Sequence, residues 1–145
     1  MKAPHIYDPY HCLVWIDHQI AHIYAVTHHD LAELAVIRAP DQGHGNVHHR
    51  AGTMGAGHEP ISPEFMTKVT AALLDPAEIL IAGPAQAKHA LKDFIAAKAP
   101  AFAHRIVGVE TLDKTGNGEL HNFARRYFHH VDSIGAGTAP GKRPA

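Results

Sequence analysis

Only one cysteine, Cys12, occurs among the 145 residues, which excludes an intrachain disulfide. Its place at the head of an apolar segment favours a small buried side chain over a reactive thiol. Long hydrophobic runs are also missing, since none approaches the ~20 residues that span a bilayer. The opening residues, MKAPHIYDPYHC, include prolines, an aspartate and histidines. They therefore lack the unbroken apolar stretch that a secretory signal needs. We therefore expect a cytoplasmic protein with no membrane partner.

An excess of charge of one sign is absent as well. Thirteen Lys and Arg against fourteen Asp and Glu give a formal net charge of -1, so no basic stripe indicates nucleic acid at pH 7. Histidine is abundant instead, with 15 residues. Because an unperturbed imidazole titrates near pH 6.5, we expect the chain to become cationic in mild acid and to bind polyanions more tightly at about pH 6 than at about pH 8.

Residues 41–60, DQGHGNVHHRAGTMGAGHEP, have hardly any hydrophobic side chains, which excludes a core element. The segment contains five glycines, four histidines and one arginine. A connection longer than about 12–15 residues inside a compact domain is usually functional or disordered. We therefore expect a flexible Gly/His loop here, called the arm below, and we expect it to carry the working surface of the protein.

The residues before the arm have the pattern of three β-strands. Residues 12–17, CLVWID, form a nearly continuous apolar run that is typical of a central strand buried on both faces. Residues 20–26 alternate in polarity. Residues 31–39 also suit a short helix, but their alternation, with Leu34, Val36 and Arg38 on one face, favours a strand. The short turns require antiparallel pairing.

Helices and strands alternate after the arm. Ser62 as N-cap and Pro63 at the first helical position predict a helix to about Leu74. The pattern then predicts two strands, at 78–82 and at 105–110. Between them it predicts a second helix that ends at Pro100 and buries Ala87, Leu91, Phe94 and Ile95. After them it predicts a third helix that buries Leu120, Phe123, Ala124, Tyr127 and Phe128.

This order of elements predicts one fold. Strand–helix–strand connections require parallel strands with right-handed crossovers. We therefore expect an α/β, ribonuclease H-like fold whose mixed five-stranded sheet has three antiparallel strands and then two parallel ones, with three helices. The domain is expected at 12–130, after an N-terminal extension at 1–11 and before a disordered tail at 131–145.

Six segments carry a family resemblance when they are taken in order. They are VWIDH at 14–18, VIRAP at 36–40 before the arm, ILIAGPAQAKHALKDFI at 79–95, VGVET at 107–111, TGNGEL at 115–120 and ARRYF at 124–128. Over about residues 12–129 the chain resembles the middle domain of archaeo-eukaryotic release factors and Pelota. It resembles more closely the short bacterial relatives called translational machinery proteins.

The resemblance implies a translation-associated, ribosome- or RNA-binding module. In release factors, the loop after the third strand holds a Gly-Gly-Gln tip that promotes ester hydrolysis on peptidyl-tRNA. This arm has no Gly-Gly-Gln, and its one glutamine, Gln42, precedes Gly43. The resemblance therefore implies a non-catalytic protein without a cofactor, whose arm contacts the ribosome, rRNA or tRNA.

The residues assigned to this contact lie on the arm: His44, His48, His49, Arg50 and His58. Imidazole and guanidinium groups stack on bases and donate hydrogen bonds. A solvated loop without a fixed partner is the alternative. His48, His49 and His58 are also weak candidates for holding a transition metal. We predict no native metal site, because neither an HExxH nor a CxxC spacing is present.

Other positions carry weaker hypotheses. Gly83 before a helix N-terminus, with Lys88 nearby, is a candidate anion seat, although tight strand-to-helix packing explains the glycine equally well. Arg125 and Arg126 either contact RNA or form a solvated helix face. Asp17 ends the central strand, where ribonuclease H-like nucleases keep a metal-binding carboxylate. Two-metal chemistry needs several converging acids, so a turn or capping role is predicted for Asp17.

Two alternative functions come from other classes. One is a metal-dependent hydrolase or nuclease on the same scaffold, which would use Asp17 and the histidines of the arm. The other is a protein interaction module that does not bind RNA.

Overall fold

The strands form one mixed sheet in the order β3-β2-β1-β4-β5. The computed structural model describes residues 10–40 and 61–138, with side chains up to Val131. The first three strands pair antiparallel, while β1–β4 and β4–β5 pair parallel, so the predicted mixed sheet with a central first strand is confirmed. The strands are β1 His11–Ile16, β2 Ile20–Val26, β3 Leu31–Arg38, β4 Glu78–Gly83 and β5 Ile106–Thr111.

The described part of the chain contains four helices, one more than predicted. They are α1 Pro63–Ala72, α2 Ala87–Lys98, α3 Pro100–Ala103 and α4 Asn117–Thr138. The short α3 was missed because Pro100 marks the end of α2 and also suits the first position of a new helix. Among the described residues, no helix combines the length and apolarity needed to cross a membrane.

Helix α4 corrects the expected start of the disordered tail. The helix continues past Val131 to Thr138, although the sequence predicted disorder from residue 131. The prediction rested on the glycines and prolines of the tail, which are Gly135, Gly137, Pro140, Gly141 and Pro144. Two of these glycines lie within the helix, where a glycine costs only about 1 kcal/mol relative to alanine. Residues 1–9 and 139–145 lie outside the described part, so the extension and the rest of the tail stay predictions.

The first face of the sheet packs against α1 and α2. Alternation along β1 directs Cys12, Val14 and Ile16 to this side, where each is fully buried. The Ser62 hydroxyl accepts hydrogen bonds from the backbone of Glu64 and Phe65, which confirms the predicted N-cap. Helices α1 and α2 contribute Phe65, Met66, Val69, Ala87, Leu91 and Ile95, and the C-cap of α1 contributes Leu73. Burying a large side chain of this kind stabilises the fold by about 1.5–3 kcal/mol.

The second face is covered by α4. Leu120, Ala124 and Phe128 are buried there, as predicted, against Leu13, Trp15, Tyr24, Val26, Leu80 and Ala82 of the sheet. Phe123 and Tyr127 are partly buried beside them. The cover does not extend to the whole of β3, since Val36 is 41% exposed.

A β-bulge in β3 changes the predicted faces of that strand. Ile23 pairs with Ala35, whereas Tyr24 pairs with Glu33, so Leu34 is the extra residue. Leu34 consequently packs with Ala35 on the first face of the sheet. The expectation that Leu34 shares a face with Val36 is therefore wrong.

Candidate functional site

The residues that flank the arm lie at one edge of the sheet. The amide of Ala39, just after β3, donates a hydrogen bond to the carbonyl of Gln19 over 2.9 Å. Gln19 belongs to the turn that follows β1. The end of β3 is thereby placed beside the carboxyl end of β1, and we call this side of the sheet the carboxyl edge.

Helix α1 begins at the same edge. At its far end, the hydroxyl of Tyr10 donates a hydrogen bond to the carbonyl of Leu73, and Tyr10 immediately precedes β1. Since the C-terminus of α1 lies where β1 starts, its N-terminus points towards the place where β1 ends. Both flanks of the arm therefore lie at the carboxyl edge. In open α/β sheets, ligands bind at the carboxyl ends of the strands.

The arm itself, residues 41–60, lies outside the described residues. The RNA contacts predicted for His44, His48, His49, Arg50 and His58 therefore stay predictions, as does the weak metal hypothesis for three of these histidines. Among the residues that are described, no group of three or more His, Cys, Asp or Glu side chains is arranged to hold a metal ion.

Asp17 closes the turn between β1 and β2. Its Oδ1 atom accepts hydrogen bonds from the amides of Gln19 and Ile20, at 2.7 and 2.9 Å. A carboxylate that satisfies two backbone amides in this way is a turn residue. The predicted turn role of Asp17 is confirmed.

Gly83 and Lys88 lie on either side of the turn from β4 into α2. A Cβ atom on Gly83 would lie 2.0 Å from the backbone oxygen of Ile16, so tight packing of β4 on β1 requires glycine here. The side chain of Lys88 is buried, and its amino group donates a hydrogen bond to the carbonyl of Ala85. The structure thus supplies a packing reason for the glycine and a backbone partner for the lysine. The anion seat stays a prediction.

The burial of Lys88 has a signal in the sequence that the prediction did not use. Lys88 precedes Leu91 by three residues and Ile95 by seven, which places it within the inward stripe of α2. A lysine in such a stripe extends its aliphatic stem over the core and brings its amino group to a polar partner at the end of the helix.

A groove at the end of β5 was not predicted. Its volume is about 420 Å³, and it is lined by Thr111, Leu112, Asp113, Lys114, Thr115 and Glu119. Trp15 lies beside it, because its indole Nε1 donates a hydrogen bond to the carbonyl of Leu112 over 3.0 Å. The amino group of Lys114 lies 5.4 Å from the centre of the indole ring, within cation–π range. No spacing in the sequence indicates this contact, since the partners are far apart along the chain.

His22 lies on the second face of the sheet. Its ring stacks on Tyr24, with centroids 6.0 Å apart and planes 11° apart, and meets Trp15 edge-on. Its Nδ1 atom lies 2.7 Å from Oε2 of Glu33 on β3. This contact orders the β2–β3 pair next to the bulge.

Arg125 and Arg126 lie on α4, which covers the second face of the sheet. Arg126 is exposed, whereas Arg125 is partly buried and donates a hydrogen bond through Nη2 to Oδ1 of Asn122 over 3.1 Å. The structure therefore does not bring the two arginines together with Gly83 and Lys88.

Comparisons with known proteins identify the fold. No protein-family model and no curated protein matches the chain. Solved structures do match. Pelota from Archaeoglobus fulgidus is 18% identical with a TM-score of 0.59, over 92% of this chain and 35% of that one. Dom34 from S. cerevisiae is 12% identical with a TM-score of 0.54, over 83% and 36%. The archaeal termination factor aRF1 is 9% identical with a TM-score of 0.50, over 91% and 43%.

The match covers well under half of each of these longer proteins. At such low identity the likeness is one of fold. The chain has the fold of the Pelota- and release-factor-like α/β domain.

Proposed function

We propose that this protein is a non-catalytic, translation-associated module that binds the ribosome in the cytoplasm through contacts of the arm with rRNA or tRNA. We also propose that it is one of the short bacterial relatives of the release-factor middle domain. Support comes from the solved structures of similar fold. One is the translation termination factor aRF1, and another is Dom34, a termination-like factor involved in RNA quality control that interacts with Hbs1.

The observation that carries the proposal is the position of the arm flanks. Ala39 and the start of α1 both lie at the carboxyl edge, so the described residues on either side of the arm lie at the edge where α/β sheets bind ligands. The inserted sequence supplies Arg50 and four histidines, which suit phosphate and base contacts. It lacks Gly-Gly-Gln, which supports binding without hydrolysis.

Co-sedimentation with ribosomes tests the proposal. The intact chain is compared with a variant whose residues 43–58 are replaced by a short linker. It is also compared with a variant in which they are replaced by an equally long Gly/Ser segment that lacks histidine and arginine. We expect the intact chain to pellet at low salt and a clearly smaller share of either variant to pellet. Equal pelleting of all three proteins would reject the arm as the binding element. No pelleting of the intact chain would reject the ribosome as the partner.

Two further measurements test the finer parts of the proposal. Pelleting of the intact chain is expected to increase from about pH 8 to about pH 6, because histidine protonation adds positive charge. In a peptidyl-tRNA hydrolysis assay, the intact chain is expected to release no peptide above background. Release that depends on the arm would overturn the non-catalytic part of the proposal.

A further inference from the structure

The outward side of α4 carries two adjacent arginines, Arg125 and Arg126, in a chain whose net charge is -1. Successive residues of an α-helix are separated by about 100° around its axis. With Leu120, Ala124 and Phe128 facing the sheet, eight residues between 121 and 130 remain. Two of them, Phe123 and Tyr127, are partly buried beside the sheet, and the other six point sideways or outwards. We call these the α4 outer face: His121, Asn122, Arg125, Arg126, His129 and His130. None of them is acidic.

The side chains of the α4 outer face are available to a partner. Asn122, Arg126, His129 and His130 are exposed, while His121 and Arg125 are partly buried. The hydrogen bond between Arg125 and Asn122 holds one guanidinium group in a defined position on the helix surface. A partner therefore meets a partly pre-ordered set of donors.

The β2–β3 turn extends the same surface. Nε2 of His121 lies 2.9 Å from the carbonyl oxygen of Thr27, which joins the first part of α4 to this turn. The next two residues, His28 and His29, are exposed and their rings meet edge to face, with centroids 4.8 Å apart. Asp30 is the acidic residue of the turn, and its amide is bonded to the hydroxyl of Thr27.

We infer that the α4 outer face, together with His28 and His29, binds the phosphate backbone of RNA. The inference rests on the proposed function only in taking RNA as the partner, and it uses a surface other than the arm. Arginine and asparagine side chains are donors that bind phosphate oxygens, and such contacts position a protein without specifying base sequence. Arginine in particular presents a planar fork of donors to phosphate.

The distribution of apolar residues argues against other anionic partners. An amphipathic helix binds a lipid surface through its apolar face, but that face of α4 is already buried against the sheet. Protein interfaces gain most of their energy from buried aromatic or other anchoring side chains in fitted pockets. Leu120, Ala124 and Phe128 face the sheet, so the outer face offers polar and charged groups to a hydrated polyanion.

Titration of labelled single-stranded RNA by fluorescence anisotropy, over a series of salt concentrations at pH 8, tests this inference. The double variant Arg125→Gln/Arg126→Gln removes two cations from the α4 outer face. Each phosphate contact contributes about 0.7 to the slope of log K against log salt for a single strand. If both arginines contact phosphates, the slope decreases by about 1.4 and affinity at 0.1 M salt decreases roughly 25-fold.

The matched control is Lys92→Gln/Lys98→Gln, which removes the same charge from exposed positions on α2. The control is expected to keep most of the wild-type slope and affinity. Circular dichroism establishes that both variants are folded. An unchanged slope in the arginine variant, or an equal loss in the lysine variant, would overturn the inference. So would stronger binding of this face to polyglutamate or to phosphatidylserine vesicles than to RNA.

The outcome can be separated from that of the ribosome experiment. If the arginine variant loses RNA affinity while the intact chain fails to pellet with ribosomes, the proposed function fails and the α4 surface stands. If pelleting depends on the arm and the arginine variant binds RNA like the wild type, the α4 surface is rejected alone.

Discussion

The backbone oxygen of Ile16 lies 2.0 Å from the position that a Cβ atom on Gly83 would occupy. The contact joins the ends of the two central strands, β1 and β4, at the carboxyl edge. Because the clashing atom belongs to the backbone of a buried strand, a small side-chain movement cannot relieve it. The carboxyl edge is therefore tightly packed between β1 and β4.

Replacing Gly83 by alanine is expected to destabilise the protein. Overpacking of a core typically costs about 1–3 kcal/mol, and a backbone clash lies at the upper end of that range or beyond it. Urea denaturation followed by circular dichroism measures the change. Gly118→Ala is the matched control, because nothing lies within 4 Å of its Cβ position and alanine favours the first turn of α4 by up to about 1 kcal/mol. Equal stability of Gly83→Ala and wild type would contradict the packing account.

Leu74 has a backbone conformation that favours glycine. Its φ is 64°, in the left-handed region, directly after the C-cap of α1. That conformation costs an L-residue about 1–2 kcal/mol, and glycine is common at this position. The side chain is 56% exposed, so truncation loses little packing.

We therefore expect Leu74→Gly to raise the free energy of unfolding by about 1 kcal/mol. Leu74→Ala keeps the Cβ atom and with it the backbone strain, so it is expected to stay close to wild type. Chemical denaturation of the three proteins checks this prediction. A gain in the alanine variant as large as that in the glycine variant would point to the exposed leucine side chain as the cause instead.

Substitutions of Asp17 test whether its carboxylate is a turn residue or a catalytic group. Asp17→Asn keeps an oxygen that accepts from the amides of Gln19 and Ile20, so we expect it to stay near wild-type stability. Asp17→Ala removes that acceptor and is expected to cost about 1 kcal/mol. Thermal and urea denaturation measure both effects. Metal-dependent RNA cleavage by the wild type that disappears in Asp17→Asn would instead support the hydrolase alternative.

Cys12 is expected to make stability fall at alkaline pH. Burial raises the pKa of its thiol to about 12, against a smaller opposing effect of the nearby Tyr10. The thiol holds its proton more tightly when the protein is folded than when it is unfolded, where its pKa is about 8.5. Its contribution to stability is therefore complete below about pH 8.5 and is lost as the pH rises towards 12.

Comparison with Cys12→Ala isolates this effect. Between about pH 9 and pH 11 the free energy of unfolding of the wild type should fall faster than that of the variant, by about 1 kcal/mol per pH unit. Urea denaturation at pH 9, 10 and 11 provides the curves. The variant is less stable at every pH because alanine leaves a cavity in place of the thiol. The comparison therefore uses the slopes of the free energy of unfolding against pH and not its absolute values. Parallel slopes would show that the thiol does not titrate as its burial requires.

Much of the fold was predictable because the local sequence patterns agree with the overall order of strands and helices. The apolar run around Val14 suits a strand buried on both faces, and the structure buries it on both faces. Ser62 and Pro63 predicted the start of α1, and the Ser62 hydroxyl caps it. The order of strands followed from connection lengths, since short turns force antiparallel pairs and helical crossovers force parallel ones.

The wrong or missing predictions have physical causes that the alternation of polar and apolar residues does not reveal. A bulge adds one residue to β3 without changing its composition, so the face of Leu34 was assigned wrongly. The sequence predicted a disordered tail from Val131, because glycines and prolines follow, but α4 continues to Thr138 and includes two of those glycines. The contact of Trp15 with Leu112 joins residues far apart in sequence, which no local pattern predicts. For the arm, the sequence indicated a working surface, and the structure adds where its flanks lie.

Trp15 is the only tryptophan in the chain, and its indole ring lies against the carbonyl of Leu112 and beneath the ammonium group of Lys114. Its emission therefore comes from a single known place, next to the groove at the end of β5. A ligand that displaces Lys114 or shifts the β5–α4 connection would change the intensity or wavelength of that emission. The protein thus carries its own optical reporter, and titrations can be followed without attaching a dye.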